Sequence, residues 1–520
     1  MSHTTITFLV LAAVVVVFVL DRFPVAVVAV ATSLTLWATG VLSLNAALAG
    51  FGDPTVLFIA SLFVVSESLD ATGVTTWAGQ LLIANVGESR RRLFVAMMLL
   101  VAGLTALISV NGAVAALVPV IVVTAVRLRR PTSQLLMPLA FAAHAGSLLA
   151  LTGSPVNIVA AEYAHDHGAG SFGYFSFALV GLPLLAGTIL VVLLLGERLL
   201  PHRSAKAISR DFSNHARLLL EEYDLGDGRE LLTRTSGVAE VVIPPRSELV
   251  GDIVFPGMVT ESGDLVVVAV KRKGERLSGE TTLVVGDALL LEGSWGALEH
   301  HLVEDPSVLV VDEPGLVRRQ TVPLGPGAKR TLAIVGVMVV LLATNAVPPA
   351  VAGLLAASAL VISGVLTMEG AYRGISWTTV ILVAGMIPLS TAMTETGAAA
   401  QLADHLVRIV GDAGPHALLL GLFILTAVLG QLISNMATAL IVFPVALSAA
   451  HDLSISPRPV IMSVTVAAAA ALLTPVATPA NLMVMEPGGY RFGDYWKLGL
   501  PLLVLYGLAS VLLVPVIWQF

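Results

Sequence analysis

Cysteine is absent from this chain of 520 residues, which excludes disulfides, thiol catalysis and cysteine-ligated metals. Charge is scarce: Asp, Glu, Lys and Arg make up 12% of residues and aromatics 6%, against 56% apolar residues. The eleven histidines fall at no metal-ligand spacing, and no HExxH, GxxxxGKS or GxSxG signature occurs. Ordinary soluble enzymology is thereby disfavoured, and no catalytic residue, cofactor or nucleic-acid partner is expected. Apolar runs long enough to cross a bilayer recur instead, the mark of a polytopic α-helical membrane protein. The first run, Ile6 to Leu20, has no basic leader and flows into a second span, so it reads as a first helix rather than a signal peptide.

The formal net charge of -7 says little, because most of the charge lies in one polar segment. That segment divides the chain into an N-terminal membrane part (1–200), a cytosolic linker and small α/β domain (201–328, core about 230–305) and a C-terminal membrane part (329–520). The first part reads as spans near 5–20, 24–43, 54–74, 133–160 and 176–199 with a hairpin at 91–126. The second reads as spans near 331–347, 349–366, 378–397, 459–485 and 498–518 with a hairpin at 415–450. A constant offset of 324 pairs Gly40–Gly73 with Gly364–Gly397 and gives eleven identities in 34 positions. Apolar bias alone would give roughly a third as many. The same offset aligns Asn111 with Asn435 and Asn157 with Asn481.

An odd number of spans per half inverts the second repeat, and the placement of basic residues agrees. Arg90, Arg91 and Arg92 enter the first hairpin and Arg127, Arg129 and Arg130 leave it, which puts its feet in the cytoplasm. The second hairpin has only Arg408, His451 and Arg458 and opens from outside. Tracing onward places Arg22, Arg203, Lys206, Arg210, Lys329, Arg330, Arg373, Arg491 and Lys497 inside, with the loop Glu162–Asp166 and both termini outside.

Each hairpin is expected to dip in and return, because its apolar arms meet at a polar tip: Ser109-Val110-Asn111-Gly112 and Ser434-Asn435-Met436. Each half also breaks a helix, at Gly153-Ser154-Pro155-Val156-Asn157 and at Thr474-Pro475-Val476-Ala477-Thr478-Pro479-Ala480-Asn481. Non-helical backbone at membrane depth survives where it is buried in protein or lines a wet cavity, so tips and breaks converge on a binding site near the midplane. Their hydroxyls, amide oxygens and freed carbonyls suit a hard cation such as sodium, and opened helix N-termini suit an anion. Neither break contains a titratable carboxylate, which a proton-coupled antiporter would want. His144 lies ten residues before Ser154 and reads as a packed core histidine or a substrate contact, with packing favoured. Glu67, Asp70 and Glu395 sit at span ends, where they reach water or take part in transport.

The order of tip then break, repeated twice, resembles the divalent anion/sodium symporters, the sodium-coupled dicarboxylate and sulfate carriers of the wider ion transporter superfamily. Carried onto these residues, the resemblance implies a first sodium site of Ser109, Asn111, Gly153, Ser154 and Asn157. It implies a second of Ser434, Asn435, Thr474, Ala477, Thr478 and Asn481, with substrate against Asn111, Gly112, Ser154, Pro155, Asn435, Met436, Thr478 and Pro479. The chain departs from the family at the third tip position, where Gly112 and Met436 replace threonines used on the substrate, and a leading helix of well-studied members is expected to have no counterpart here. The resemblance also implies a homodimer with an elevator motion. Thr75–Val86 and Ala398–Val410 are either its interfacial linking helices or ordinary helix ends.

The polar segment begins with a helical linker, Ser204 to Glu222, followed by strands Val238–Ile243, Leu265–Lys271 and Thr282–Leu291. Its Pro244-Pro245-Arg246-Ser247 and Lys271-Arg272-Lys273-Gly274 turns and the Gly286-Asp287 step resemble the C-terminal subdomain of RCK regulatory domains. That resemblance implies dimerisation and a small ligand such as a cyclic dinucleotide; no GxGxxG-like strand and helix occurs in this polar segment, so NAD or ATP is not implied. The expected function is sodium-coupled symport of a divalent anion, sulfate or a dicarboxylate. Cation/proton antiport or metalloid-anion exchange is the alternative, and a ligand-gated channel, which would lack any TVGYG-type filter, is third.

Overall fold

A computed structural model of the chain describes all residues except 1, 21, 87–88, 128–129, 204–218, 221, 224–230, 234–235, 303–305, 313, 322–323, 411–413 and 476. Arg129, Lys206, Arg210 and most of the expected helical linker lie outside the described residues. The chain forms two compact units: Met1–Leu69, Leu81–Ile208 and Lys329–Phe520 make the first, Asp70–Gln80 and Ser209–Ala328 the second.

The first unit is helical. Among the described residues six segments are long and apolar enough to cross a bilayer: His3–Leu20, Leu44–Ala71, Ala178–Leu199, Trp377–Glu395, Pro415–Leu432 and Phe492–Ile517. At about 1.5 Å per residue, the shortest of them approaches the roughly 30 Å of a hydrocarbon core. Apolar side chains such as Leu194, Val340 and Val516 stay exposed on their outer faces, as lipid contact requires.

Several local details recur at the 324-residue offset. Gly40 and Gly364 adopt φ of 73° and 70°, and Gly73 and Gly397 adopt 69° and 72°, values that an L side chain rarely tolerates. After the first pair, Ser43 caps Leu44–Leu48 by accepting from Ala46 N–H, and Thr367 caps Met368–Gly374 by accepting from Gly370 N–H. Glycines also let the halves approach closely. A Cβ on Gly385 would lie 2.6 Å from the Ala29 carbonyl, and Ser33 Oγ donates to Gly385 O across that contact at 3.0 Å. Glu162 to Asp166 form the last turn of the helix Pro155–Asp166 rather than a loop, because the helix runs on after its break.

The second unit is built on a five-stranded sheet in the order β4-β3-β6-β1-β7. Its strands are β1 Ser236–Val242, β3 Leu265–Arg272, β4 Glu275–Leu277, β6 Ala288–Ser294 and β7 Leu309–Val310. A separate pair joins β2 Ile253–Val254 to β5 Thr281–Thr282. The β3–β4 turn places Lys273 and Gly274 at φ 52° and 92°, the conformation a tight two-residue hairpin loop requires. Val241, Val267, Val270, Leu289 and Leu291 form the core with Leu298 of the helix Trp295–Leu302. Trp295 fills the space a side chain at Gly237 would need, with Cη2 2.3 Å from the ideal Cβ position.

The expected strand Thr282–Leu291 is two strands instead. Gly286, at φ 88°, and Asp287 divide it, so that β5 pairs with β2 and β6 joins the main sheet. The fully buried Asp287 carboxylate accepts from Arg272 Nε at 2.8 Å and from Val284 N–H at 2.9 Å, tying β3 to the turn. Burial alone would raise this carboxyl, but the Arg272 and Val284 hydrogen bonds and the guanidinium charge outweigh it and hold it below the usual range. A depressed native pKa contributes stability that is present above the unfolded value of about 3.9 and is lost as pH falls through the native one. In the intact protein, amide-exchange protection of β3 and β6 is therefore expected to weaken below about pH 4. Asp287→Asn should show weaker protection already at neutral pH and no further acid-dependent loss.

Candidate functional site

Two broken helices and two hairpin tips define the site. In the first half, Leu136–Gly146 ends, a 3-10 turn spans Leu151–Gly153, and Pro155–Asp166 starts anew. Ser154 caps that helix by accepting from Val156 N–H at 3.2 Å, with Pro155 in the first helical position, where it forfeits no hydrogen bond. In the second half Pro457–Ala469 ends, and Thr478 caps Pro479–Met485 by accepting from Asn481 N–H at 3.3 Å.

The carbonyls freed by each break are claimed by one asparagine. Asn157 Nδ2 donates to Ser147 O at 2.7 Å and Ala150 O at 2.9 Å. Asn481 Nδ2 donates to Ala471 O at 2.8 Å and Thr474 O at 3.0 Å. Both side chains are fully buried, and donors and acceptors all match at the 324-residue offset. A glycine of the following helix presses on each break. A Cβ on Gly181 would sit 2.1 Å from Leu148 O, and one on Gly499 would sit 2.1 Å from Leu472 O.

The hairpins are secured to the same breaks. Thr152 Oγ1 donates to Ala106 O at 2.7 Å, at the end of the first arm Arg90–Leu107. Gln431, in the arm Pro415–Leu432, accepts from Leu473 N–H at 3.0 Å and donates to Ala470 O at 3.3 Å. The returning arms Val110–Arg127 and Asn435–Asp452 then begin at the tips, the second capped by Ser434.

Tips and breaks surround one cavity of about 160 Å³. Of the residues singled out from sequence, Ser109, Asn111, Gly153, Ser154, Pro155, Asn157, Ser434, Asn435, Met436, Ala477, Thr478 and Pro479 line it. Gly112, Thr474 and Asn481 do not line it. Gly112 lies behind the tip, where an added Cβ would approach Ser66 Oγ to 3.2 Å. Thr474 serves through its carbonyl, and Asn481 Oδ1 meets His144 Nε2 at 3.2 Å. No Asp, Glu, Lys or Arg lines the cavity among the described residues. Asn157 Oδ1, Asn435 Oδ1, Thr438 Oγ1 and Thr474 Oγ1 are buried oxygens with no hydrogen-bond partner among the described residues. Such orphaned acceptors are what a dehydrated cation would satisfy.

His144 departs from the favoured packing reading: it is 2% exposed, yet it lines the cavity and touches both Asn481 and Thr478. Because Asn481 Nδ2 is committed to two carbonyls, Oδ1 faces the imidazole, and that assigns the proton to Nε2. Thr379, Thr465, Ser147 and Phe63 also line the cavity and had not been singled out. Thr379 carried a signal, since the repeat pairs it with Thr55; Thr465 and Phe63 lie inside apolar helices, and Ser147 follows the end of Leu136–Gly146, seven residues before Ser154.

A family model described as citrate transporter, CitMHS, matches residues 15–467 and 340–520. The chain belongs to the CitMHS citrate transporter family. The uncharacterized transporter YfbS of Escherichia coli (strain K12) is 30% identical over 601 residues, covering 98% of each protein. Sodium/sulfate cotransporter 1 of Chlamydomonas reinhardtii is 27% identical over 282 residues, 51% of this chain and 31% of that protein. Among solved structures, the YdaH transporter of Alcanivorax borkumensis matches with a TM-score of 0.50 at 13% identity, over 90% of this chain and 86% of its own, a likeness of fold. This CitMHS-family member is therefore a multi-pass membrane transporter of helical fold, and the transporter kinship expected from tips and breaks is shown.

Asn157→Ala and Asn481→Ala each remove the donor from two buried carbonyls, at about 1–3 kcal/mol per orphaned group. Both variants of this CitMHS-family transporter should melt at clearly lower temperature in detergent, whereas Gly493→Ala, whose Cβ meets nothing within 4 Å, should not.

Proposed function

We propose that this protein is a sodium-coupled symporter of a small divalent anion, sulfate or a dicarboxylate. One observation carries the reading: a single small cavity is lined by Asn157 and Asn435, whose buried amide oxygens have no partner among the described residues, together with the N-terminal ends of three helices, and no Asp, Glu, Lys or Arg among the described residues lines it. The helices Val110–Arg127, Pro155–Asp166 and Asn435–Asp452 bring N-terminal residues to its wall, and their positive dipole ends favour an anion. Sodium at the oxygens would neutralise part of the anion's charge and so couple the two bindings. The volume, below the roughly 300–1,000 Å³ of pockets for drug-sized ligands, suits a substrate of few heavy atoms. The sodium/sulfate cotransporters among the relatives support the same class.

Two oxygen sets are candidates to hold sodium: Ser109, Asn111, Gly153, Ser154 and Asn157 in the first half, and Ser434, Asn435, Thr474, Ala477, Thr478 and Asn481 in the second. The repeated glycine turns and asparagine bonds support two repeats, which are read as inverted in topology, with re-entrant hairpins and, from the basic residues, both termini outside. In an elevator motion the hairpins and broken helices would move as one body in each protomer of a homodimer, with Ala398–Val410 as an interfacial link. The sheet unit is read as a cytosolic RCK C-terminal-like module that dimerises and takes a small ligand such as a cyclic dinucleotide. Its exposed Ile253, Phe255 and Val259 support such a contact.

Purified protein in proteoliposomes should accumulate labelled sulfate, succinate or citrate under an inward sodium gradient and not when choline replaces sodium. Uptake driven equally by a proton gradient without sodium, or no uptake of any anion, would sink the proposal. Uptake of citrate alone would keep the sodium coupling and correct the anion.

A further inference from the structure

The two halves share their asparagines and prolines but differ at several lining positions, and although Asn435 Oδ1 at the second tip stays unpartnered, one of these differences decides what the break asparagines' oxygens can do. The offset that matches Asn157 to Asn481 and Ser147 to Ala471 sets His144 opposite Ala468, and both line the cavity. In the second half, Asn481 Oδ1 accepts from His144 Nε2 at 3.2 Å, and Thr478 Oγ1 lies 3.3 Å from the same nitrogen. In the first half, Ala468 offers no donor, and Asn157 Oδ1 is buried without a partner among the described residues. Two equivalent acceptors thus differ in state: one is satisfied by the protein itself and the other is left for a ligand.

We propose that His144 takes the place of the second cation, so that this carrier moves one sodium ion per anion, bound in the half centred on Asn157. The inference rests on the sodium-symport reading above and sets its stoichiometry. The imidazole N–H needs no positive charge for this role; it directs a donor at the oxygens a cation would share, and its ring fills volume beside them. A sodium ion entering there would break that hydrogen bond and leave a buried N–H unpaired, an expense that the Asn157 half does not impose. His144 is in this sense a positioning residue that restricts which oxygens stay available. With a divalent anion and one sodium ion, each cycle carries one net negative charge, whereas two sodium ions would make the cycle electroneutral.

The test is the ratio of labelled sodium to labelled anion taken up by wild-type proteoliposomes, with the steepness of sodium activation measured alongside. One sodium per anion, non-cooperative activation, and slowing of uptake by an inside-negative potential are expected. His144→Ala should raise the ratio towards two and make activation cooperative, and Ala468→His, which aims a donor at Asn157, should weaken sodium activation at least tenfold. A wild-type ratio of two overturns the inference and leaves sodium symport intact, whereas sodium-independent uptake overturns both. Should His144→Ala fail to fold, the wild-type ratio decides alone. An unchanged ratio in a folded His144→Ala variant also overturns the inference.

Discussion

Backbone carbonyls freed inside an apolar helix must find donors within the protein, because the bilayer interior has none to give. Here the donors are the two amide hydrogens of one asparagine in each half, spent on carbonyls ten and seven residues earlier. That bond pair lets a helix stop at Gly146 or Ala469 and restart at Pro155 or Pro479. The surrounding features accommodate it: serine and threonine caps hold the restarted helices, and Gly181 and Gly499 let neighbouring backbone close over the gaps. Through Thr152 and Gln431 the hairpins join the same arrangement, so a local break becomes a four-part enclosure.

Using both asparagine hydrogens structurally has a chemical consequence. Each Oδ1 is forced to face away from the backbone it supports, towards whatever occupies the middle of the protein. One end of each amide thus supports the break while the other differs between the halves: Asn481 Oδ1 meets His144, and Asn157 Oδ1 has no partner among the described residues.

The elements legible in the sequence are those whose physics is local. Gly40, Gly73 and their partners stood out because positive φ demands glycine, and the Ser-Pro and Thr-Pro steps because a cap and a first-turn proline sit side by side. Ala398–Val410 was legible to its end residues from a period-3.6 pattern of charge and apolarity. The strand break at Asp287 was not, since apolar residues continue on both sides of it and only the distant Arg272 reveals why the chain turns. The strands β2, β5 and β7, two residues each, are too short to carry a pattern. The link from His144 to Asn481 spans 337 residues of sequence and joins the two halves, so no local signal could announce it.

The exit of the chain from the first unit is fastened in an unusual place. Ser133 Oγ accepts from Arg203 N–H and donates to Pro201 O, while the Arg203 guanidinium reaches Asp494 at 2.7 Å and the Gly489 carbonyl at 3.2 Å. Ser133 stands at the approach to the first broken helix, and Gly489 and Asp494 follow the second. Arg203 thereby ties the approach to the first break to the segment that follows the second, so that one residue between the two membrane parts holds both in register.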